Sequence, residues 1–150
     1  MEFSIRKMNT DDVEEVYNLG ILQKEFASES GVFWTKKQLN QWCKSPNDIL
    51  TIAEQNKKII GFSLFAIHVP TGKVTWENLY VIPMARKSGV ASAMIKDGLR
   101  QTRGLGYKYI VSYINADDQN KFALFAEKFG FKKGNKVLWI DQVIAPDREV

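Results

Sequence analysis

Apolar and polar positions follow one another along the chain in two alternating rhythms. Phe3 and Ile5 alternate with polar neighbours and predict a short strand. Asn9-Thr10-Asp11-Asp12 follows, rich in helix N-cap types, with Glu14 three residues after Asp11. Val13, Val16, Tyr17, Gly20 and Ile21 then recur at helical spacing. A second start signal, Thr35 with Gln38 three residues later, precedes Leu39 and Trp42, so two helices are predicted in the first third. Ser45-Pro46-Asn47-Asp48 breaks the helical rhythm. Two β-rich runs, Ile49 to Glu54 and Ile59 to Val69, flank the polar turn Gln55-Asn56-Lys57-Lys58 and read as a hairpin. Pro70-Thr71-Gly72-Lys73 turns the chain again into Val74 to Ile82, completing a meander of three antiparallel strands.

Pro83 ends that run, and from Gly89 the positions Val90, Ala91, Met94, Ile95, Leu99 and Thr102 form a helical stripe closed by Gly104-Leu105-Gly106. A strand over Lys108 to Ile114 and a helix from about Gln119 to Lys128 follow, with Gly130 as the residue that stops the helix. The helical crossover makes the Val74–Ile82 and Lys108–Ile114 strands parallel. The end alternates once more, with Val137, Trp139 and Asp141 on one face and Leu138, Ile140 and Gln142 on the other. No internal repeat or linker interrupts the chain, so residues 1–150 read as a single domain.

Composition narrows the class. The 150 residues are 45% hydrophobic and 25% charged, which excludes disordered and low-complexity classes and supports a full core. Cys43 is the sole cysteine and no signal-peptide pattern opens the chain, so a reducing cytoplasmic location is the expectation. The longest apolar stretch, Ile59 to Val69, is about half the ~20 residues a membrane helix needs. A balance of 21 Lys and Arg against 17 Asp and Glu, interspersed, permits nucleic acid without indicating it.

The segment Val81-Ile82-Pro83-Met84-Ala85-Arg86-Lys87-Ser88-Gly89-Val90-Ala91 joins a strand to a helix through two cations, a serine and a glycine. A helix N-terminus leaves N–H groups unpaired and carries partial positive charge, and Gly89 lets a ligand come close. The segment therefore suits an anion, although a plain solvated basic loop has the same letters. No Gly-Lys-Ser/Thr ends it, and Gly104-Leu105-Gly106 closes a helix instead of opening one, which weakens ATPase and dinucleotide readings.

Arg86-x-x-Gly89-x-Ala91 after a strand end resembles the acetyl-CoA pyrophosphate loop, Q/R-x-x-G-x-G/A, of the GNAT N-acetyltransferase superfamily. The predicted order of elements is similar to that fold over nearly the whole chain. Glu127-Lys128-Phe129-Gly130-Phe131 resembles the family's E-K-x-G-F ending. The resemblance implies an α/β (α+β) domain with a mixed, mostly antiparallel sheet of about six to seven strands, opened by a V-shaped splay and flanked by four helices. It implies acetyl-CoA as acyl donor, no metal, and cofactor contacts from Leu79, Tyr80 and Val81 and from Arg86, Lys87, Ser88, Gly89, Val90, Ala91 and Ser92. It extends them to Asn115 at the end of the next strand and to Gln119, Asn120 and Phe125 of the helix beside the cofactor. Asn115 reads equally as a turn residue, and Phe122, Phe125 and Phe129 by themselves read as core. The family's usual Tyr acid is missing, because Ala126 stands five residues before Phe131.

Trp76-Glu77-Asn78-Leu79-Tyr80-Val81 places Glu77 where similar diamine acetyltransferases carry a carboxylate base, and alternation puts it on the pleat face of Val81. An ammonium group must lose a proton before it can attack a thioester, which is the work such a base performs. A surface glutamate is the competing reading. Glu25, Phe26, Glu29, Phe33 and Trp34, between the first two helices, and Trp76 are where the resemblance implies the walls of an acceptor pocket suited to a cationic amine, although an amphipathic helix end with solvated glutamates has the same letters. Cys43 and the lone His68 form no pair that would support covalent catalysis or a metal site. The expected activity is transfer of acetyl from acetyl-CoA to a small-molecule or protein primary amine in a ternary complex. A non-catalytic acyl-CoA sensor of the same fold and a small basic RNA-binding domain are the alternatives; no membrane is expected, and a homodimer is left open.

Overall fold

The computed structural model describes residues 1–28, 30–115, 117–118, 120 and 128–144. Its strands are β1 (Ser4–Lys7), β2 (Ile49–Gln55), β3 (Lys58–His68), β4 (Lys73–Val81) and β5 (Tyr109–Ser112), and its α-helices are α1 (Val13–Gly20), α2 (Lys36–Cys43) and α3 (Val90–Gly104). The strands form one sheet in the order β1-β2-β3-β4-β5, antiparallel except for the parallel pair β4–β5. The mixed α/β class and the expected order of elements as far as β5 are therefore present.

Local chemistry sets the boundaries. Thr35 and Gln38 exchange hydrogen bonds at the start of α2, the Gln38 N–H donating to Thr35 Oγ1 at 3.1 Å and the Thr35 N–H to Gln38 Oε1 at 2.8 Å. The first helix differs from expectation. Asn9, with Asp12 as partner, caps a 3₁₀ turn over Thr10–Asp12, and α1 begins only at Val13. Asp12 is committed elsewhere as well: both its oxygens accept from the Arg6 guanidinium, at 2.9 and 2.8 Å, while Arg6 also bonds Glu54 of β2 at 2.8 Å. Burial pushes the Asp12 carboxyl up, but the bonds from Arg6 and from the Asn9 N–H outweigh it and hold the carboxyl below the usual range. Between β2 and β3, Asn56 and Lys57 adopt φ of 50° and 63°, the twist that a two-residue hairpin turn requires.

Helices α1 and α2 cover one face of the sheet, packing Met8, Val16, Leu39, Ile52, Phe62, Leu64 and Tyr80 into one cluster. Helix α3 covers the other, over Phe65, Val74, Trp76 and Ile95 and over Ala53, Ile60, Val81, Val90 and Met94. β3 is central and buried on both faces, which explains its near-continuous apolar run.

Two expectations change. The described residues hold five strands and three α-helices, fewer than the six to seven and four anticipated. Residues 131–144 carry no regular structure despite their alternation. Alternation favours a pleated ribbon only where a neighbouring strand supplies backbone partners, and here Trp139 instead rests edge-on against Tyr113 at 5.6 Å. The helix expected over Gln119 to Lys128 falls mostly outside the described residues.

Candidate active site

The site is built where β4 and β5 part. They pair only from Lys73 with Tyr109 to Trp76 with Ser112, where the Ser112 hydroxyl donates to the Trp76 carbonyl at 3.2 Å. Beyond that fork β4 continues from Glu77 to Val81 paired with β3 on one side and, among the described residues, with no strand on the other. Its polar groups alternate sides. The Ile82 N–H donates to Ile60 of β3 at 2.9 Å, so Tyr80 and Asn78, two and four residues back, also turn their peptide groups to β3. In keeping with this, a Cβ on Gly61 of β3 would lie 2.7 Å from the Tyr80 carbonyl. Leu79 and Val81 therefore face the open side. The Val81 carbonyl is already taken by Arg86, whose Nε–H donates to it at 2.9 Å, leaving the N–H and C=O of Leu79 and the N–H of Val81. Tyr80 contributes no edge group, and its ring packs with Phe26 and Phe62 under α1 and α2.

The open edge runs into the basic loop. Pro83–Ala85 makes one 3₁₀ turn, Arg86 is extended, and Lys87 and Gly89 both take left-handed backbone with φ of 62° and 88°. The Ser88 hydroxyl donates to the Ala85 carbonyl at 2.5 Å and holds the turn closed. The first helical bond of α3 runs from the Ala93 N–H to the Gly89 carbonyl at 2.9 Å, so the N–H groups of Val90, Ala91 and Ser92 meet no acceptor among the described residues. No atom lies within 4 Å of where a Gly89 Cβ would stand. A cavity of about 320 Å³ lies here, lined by Val81, Ala85, Arg86, Lys87, Gly89, Ala91 and Ser92. Backbone N–H donors, a helix N-terminus and two side-chain cations make it fit a pyrophosphate. Lys128, quoted in the E-K-x-G-F stretch but not expected to act, reaches this turn and donates from Nζ to Ser92 Oγ at 2.9 Å. Together with Lys96 and Arg103 it lines a second cavity of about 330 Å³ floored by Leu99 and Phe129.

Glu77 sits at a bulge. Trp76 lies opposite Phe65 and Asn78 opposite Leu64, so Glu77 is the extra residue of β4. The alternation read from sequence is broken at this point. Val74 and Trp76 face α3, which puts Glu77 on the α1/α2 side; beyond the bulge Val81 returns to the α3 side. Glu77 and Val81 therefore do not share a face. Glu77 is an exposed residue of β4, as a surface glutamate would be, yet partial desolvation pushes its carboxyl up, only partly opposed by the charge of Lys73.

On that α1/α2 side stand Phe33 and Trp34, half-buried with ring centroids 3.9 Å apart, and Tyr17 6.0 Å from Trp34. The Trp34 indole N–H donates to Asn78 Oδ1 at 3.4 Å. Tyr17 and Asn78 touch Trp34 here and were not singled out in the sequence. Asn78 sat in the quoted hexapeptide, but without the bulge its face could not be assigned. Trp76, expected in the acceptor wall, is 2% exposed in the α3-side core, 4.7 Å from Phe65, and apart from Phe33 and Trp34. Glu25 is exposed in the 3₁₀ turn Lys24–Phe26. Asn115 makes a turn, its Oδ1 accepting the Asp117 N–H at 3.0 Å, and Asn120 is exposed. Glu29, Gln119, Phe125 and Ala126 lie outside the described residues.

Of the reactive side chains elsewhere, His68 Nδ1 lies 2.7 Å from Thr71 Oγ1 in the β3–β4 turn. Burial pushes the Cys43 thiol up to about 11, so it stays protonated near neutrality. No cluster of three or more His, Cys, Asp or Glu among the described residues could hold a metal, and no helix among them is long and apolar enough to cross a membrane.

Among the described residues the site is framed by a five-stranded sheet forked at its parallel pair, with a glycine-bearing turn at the fork's end. Residues 13–131 match the acetyltransferase (GNAT) family, to which the chain belongs. Solved structures share the fold. An aminoglycoside acetyltransferase from an uncultured soil metagenomic sample, in complex with trehalose, superposes with a TM-score of 0.76 at 11% identity over 95% of this chain and 97% of that one. The PaiA N-acetyltransferase of Thermoplasma acidophilum in complex with coenzyme A gives 0.76 at 18% identity over 91% and 94%. The ribosomal-protein-S18-alanine N-acetyltransferase of Escherichia coli gives 0.71 at 18% over 89% and 80%. No curated protein sequence matches the chain.

Proposed function

We propose that the chain is an acetyl-CoA-dependent N-acetyltransferase that acts on a primary amine by direct transfer in a ternary complex. The observation that carries this reading is the continuity of the open β4 edge with the Arg86–Ser92 turn, which aligns a strand-like ligand with a bound anion. Bound there, acetyl-CoA supplies an activated thioester carbonyl. Leu79 and Val81 offer the backbone groups that align the pantetheine arm, and one of their N–H groups stabilises the developing oxyanion. Lys87 and the first-turn N–H groups of α3 hold the pyrophosphate. Glu77, whose carboxyl partial desolvation makes more basic, takes the amine's proton directly or through a water. The leaving thiolate, with an unperturbed pKa of about 8.5, departs without a dedicated acid. Neighbours named for aminoglycosides and for the alanine of a ribosomal protein support a primary amine as acceptor. A lone cysteine suits the cytoplasm.

A thermal-shift series with acetyl-CoA, longer acyl-CoAs and CoA, followed by thiol release with an amine panel, tests this. Acetyl-CoA at about a hundred times its Kd adds about 2.7 kcal/mol of stability, and thiol release depends on the amine. Stabilisation without turnover leaves an acyl-CoA sensor, and no stabilisation overturns the reading.

A further inference from the structure

Asn78 is 7% exposed, and its side-chain oxygen faces the Trp34 indole. An indole N–H can only donate, so the atom it meets, 3.4 Å from Trp34 Nε1, is the carbonyl oxygen of the Asn78 amide. The two N–H donors of Nδ2 then point away from Trp34 and meet no acceptor among the described residues. Among those residues Ser63 Oγ is the one buried side-chain polar atom without a partner, so Asn78 Nδ2 keeps an opening to solvent. A sheltered donor fixed in direction and left without a partner is the signature of a ligand contact.

The bulge gives that donor a neighbour. Glu77 and Asn78 follow one another yet lie on the same side of the sheet, because the extra residue cancels the usual alternation. A proton acceptor and a hydrogen-bond donor therefore stand about one strand residue, roughly 3.3 Å, apart along β4. Nitrogen and oxygen are separated by about 3 Å in a 2-amino alcohol or an α-amino carbonyl compound. We infer that Asn78 selects acceptors bearing a hydroxyl or carbonyl oxygen beside the amine: Glu77 takes the nitrogen, and the Asn78 amide donates to the oxygen. Simple alkylamines and diamines fill the first position only. Trp34 is the positioning residue, and it comes close because α1 ends in glycine: a Cβ on Gly20 would lie 2.6 Å from Trp34 Cη2.

This inference rests on the transferase reading, and the test separates the two. At saturating acetyl-CoA, kcat/KM is measured for glycinamide and for propylamine with the wild type, Asn78→Ala and Asn78→Asp. The ratio of the two constants, followed from wild type to variant, cancels the difference in amine basicity. It falls about tenfold in both variants, mainly through KM for glycinamide, while acetyl-CoA affinity stays within about twofold. Asn78→Asp preserves shape and the bond from Trp34 but cannot donate. It also moves the rising limb of the pH profile to higher pH, because it sets a second carboxylate beside Glu77. An unchanged ratio in a variant that binds acetyl-CoA overturns the role of Asn78 and leaves the transferase reading standing. If both substitutions prevent folding, Trp34→Phe frees the amide while keeping a ring, and an unchanged ratio there overturns the inference equally. A wild type that binds acetyl-CoA but acetylates neither amine overturns the transferase reading itself.

Discussion

The Arg86 Nε–H donates to the Val81 carbonyl at 2.9 Å, so the first cation of the basic loop folds back to close the strand that the loop follows. The guanidinium lies over the Tyr80 ring, 5.9 Å from its centroid. Arg86→Ala should therefore both free that carbonyl and loosen the turn, raising the Kd for acetyl-CoA by about tenfold in calorimetry. Arg86→Lys should not restore it, since an ammonium lacks the planar fork. Lys87→Ala should weaken binding in a way that high salt masks.

Gly89→Val should be more severe. Its φ of 88° is left-handed, which costs a side chain about 1–2 kcal/mol, and a branched side chain would stand in the cavity mouth. Loss of acetyl-CoA binding in a variant that still folds is the expected calorimetric result, and unchanged affinity would remove the turn from the site.

Glu77→Gln keeps shape and removes basicity. Acetyl-CoA affinity should persist while kcat/KM falls by about 10²–10⁴. In the wild type, kcat/KM should rise with pH along a limb set above the ordinary carboxylate range, because partial desolvation raises the Glu77 carboxyl. Stability has the opposite sign: between the unfolded and the raised folded value the native state binds more protons, so ionising Glu77 disfavours folding as pH rises. The Tm of Glu77→Gln at pH ~7 should equal or exceed that of the wild type.

Much of this arrangement was legible in the residues. The Thr35–Gln38 cap, the hairpin at Asn56-Lys57 and the strand-to-helix turn at Gly89 are local devices whose chemistry is written in adjacent letters. The bulge at Glu77 was not, because a register shift is decided by both strands, and Trp76-Glu77-Asn78 contains no glycine to betray it. Without it, plain alternation put Glu77 on the face of Val81. The alternation at Val137–Gln142 misled in the reverse way, since a pattern that suits a strand does not supply the neighbour.

Arg6 and Asp12 should carry stability that depends on acid. Arg6→Met leaves the Asp12 carboxylate, 8% exposed, without its guanidinium and should cost on the order of 2–3 kcal/mol near neutrality in urea unfolding. Because the folded Asp12 value is lowered, its contribution is present above the unfolded value and is lost as pH falls through the folded one. The difference between wild type and variant should therefore shrink in acid.

Gly98→Ala should destabilise although alanine favours helices by about 1 kcal/mol. The new Cβ would lie 2.5 Å from Phe65 Cζ, and Phe65 is packed between α3 and Trp76 with nowhere to move. Overpacking of this kind costs about 1–3 kcal/mol. Gly104→Ala, with no atom within 4 Å of its Cβ, is the matched control and should not lower the Tm.

One residue inserted into β4 divides it into two reading frames. Before the insertion the even-numbered residues face α3, and after it the odd-numbered ones do. Deleting Glu77 would restore plain alternation from Trp76 to Asn78 without turning Leu79 or Val81, so the open edge would survive and only the carboxylate would go. The insertion thus adds a carboxylate to a strand whose binding edge is in register on both sides of it.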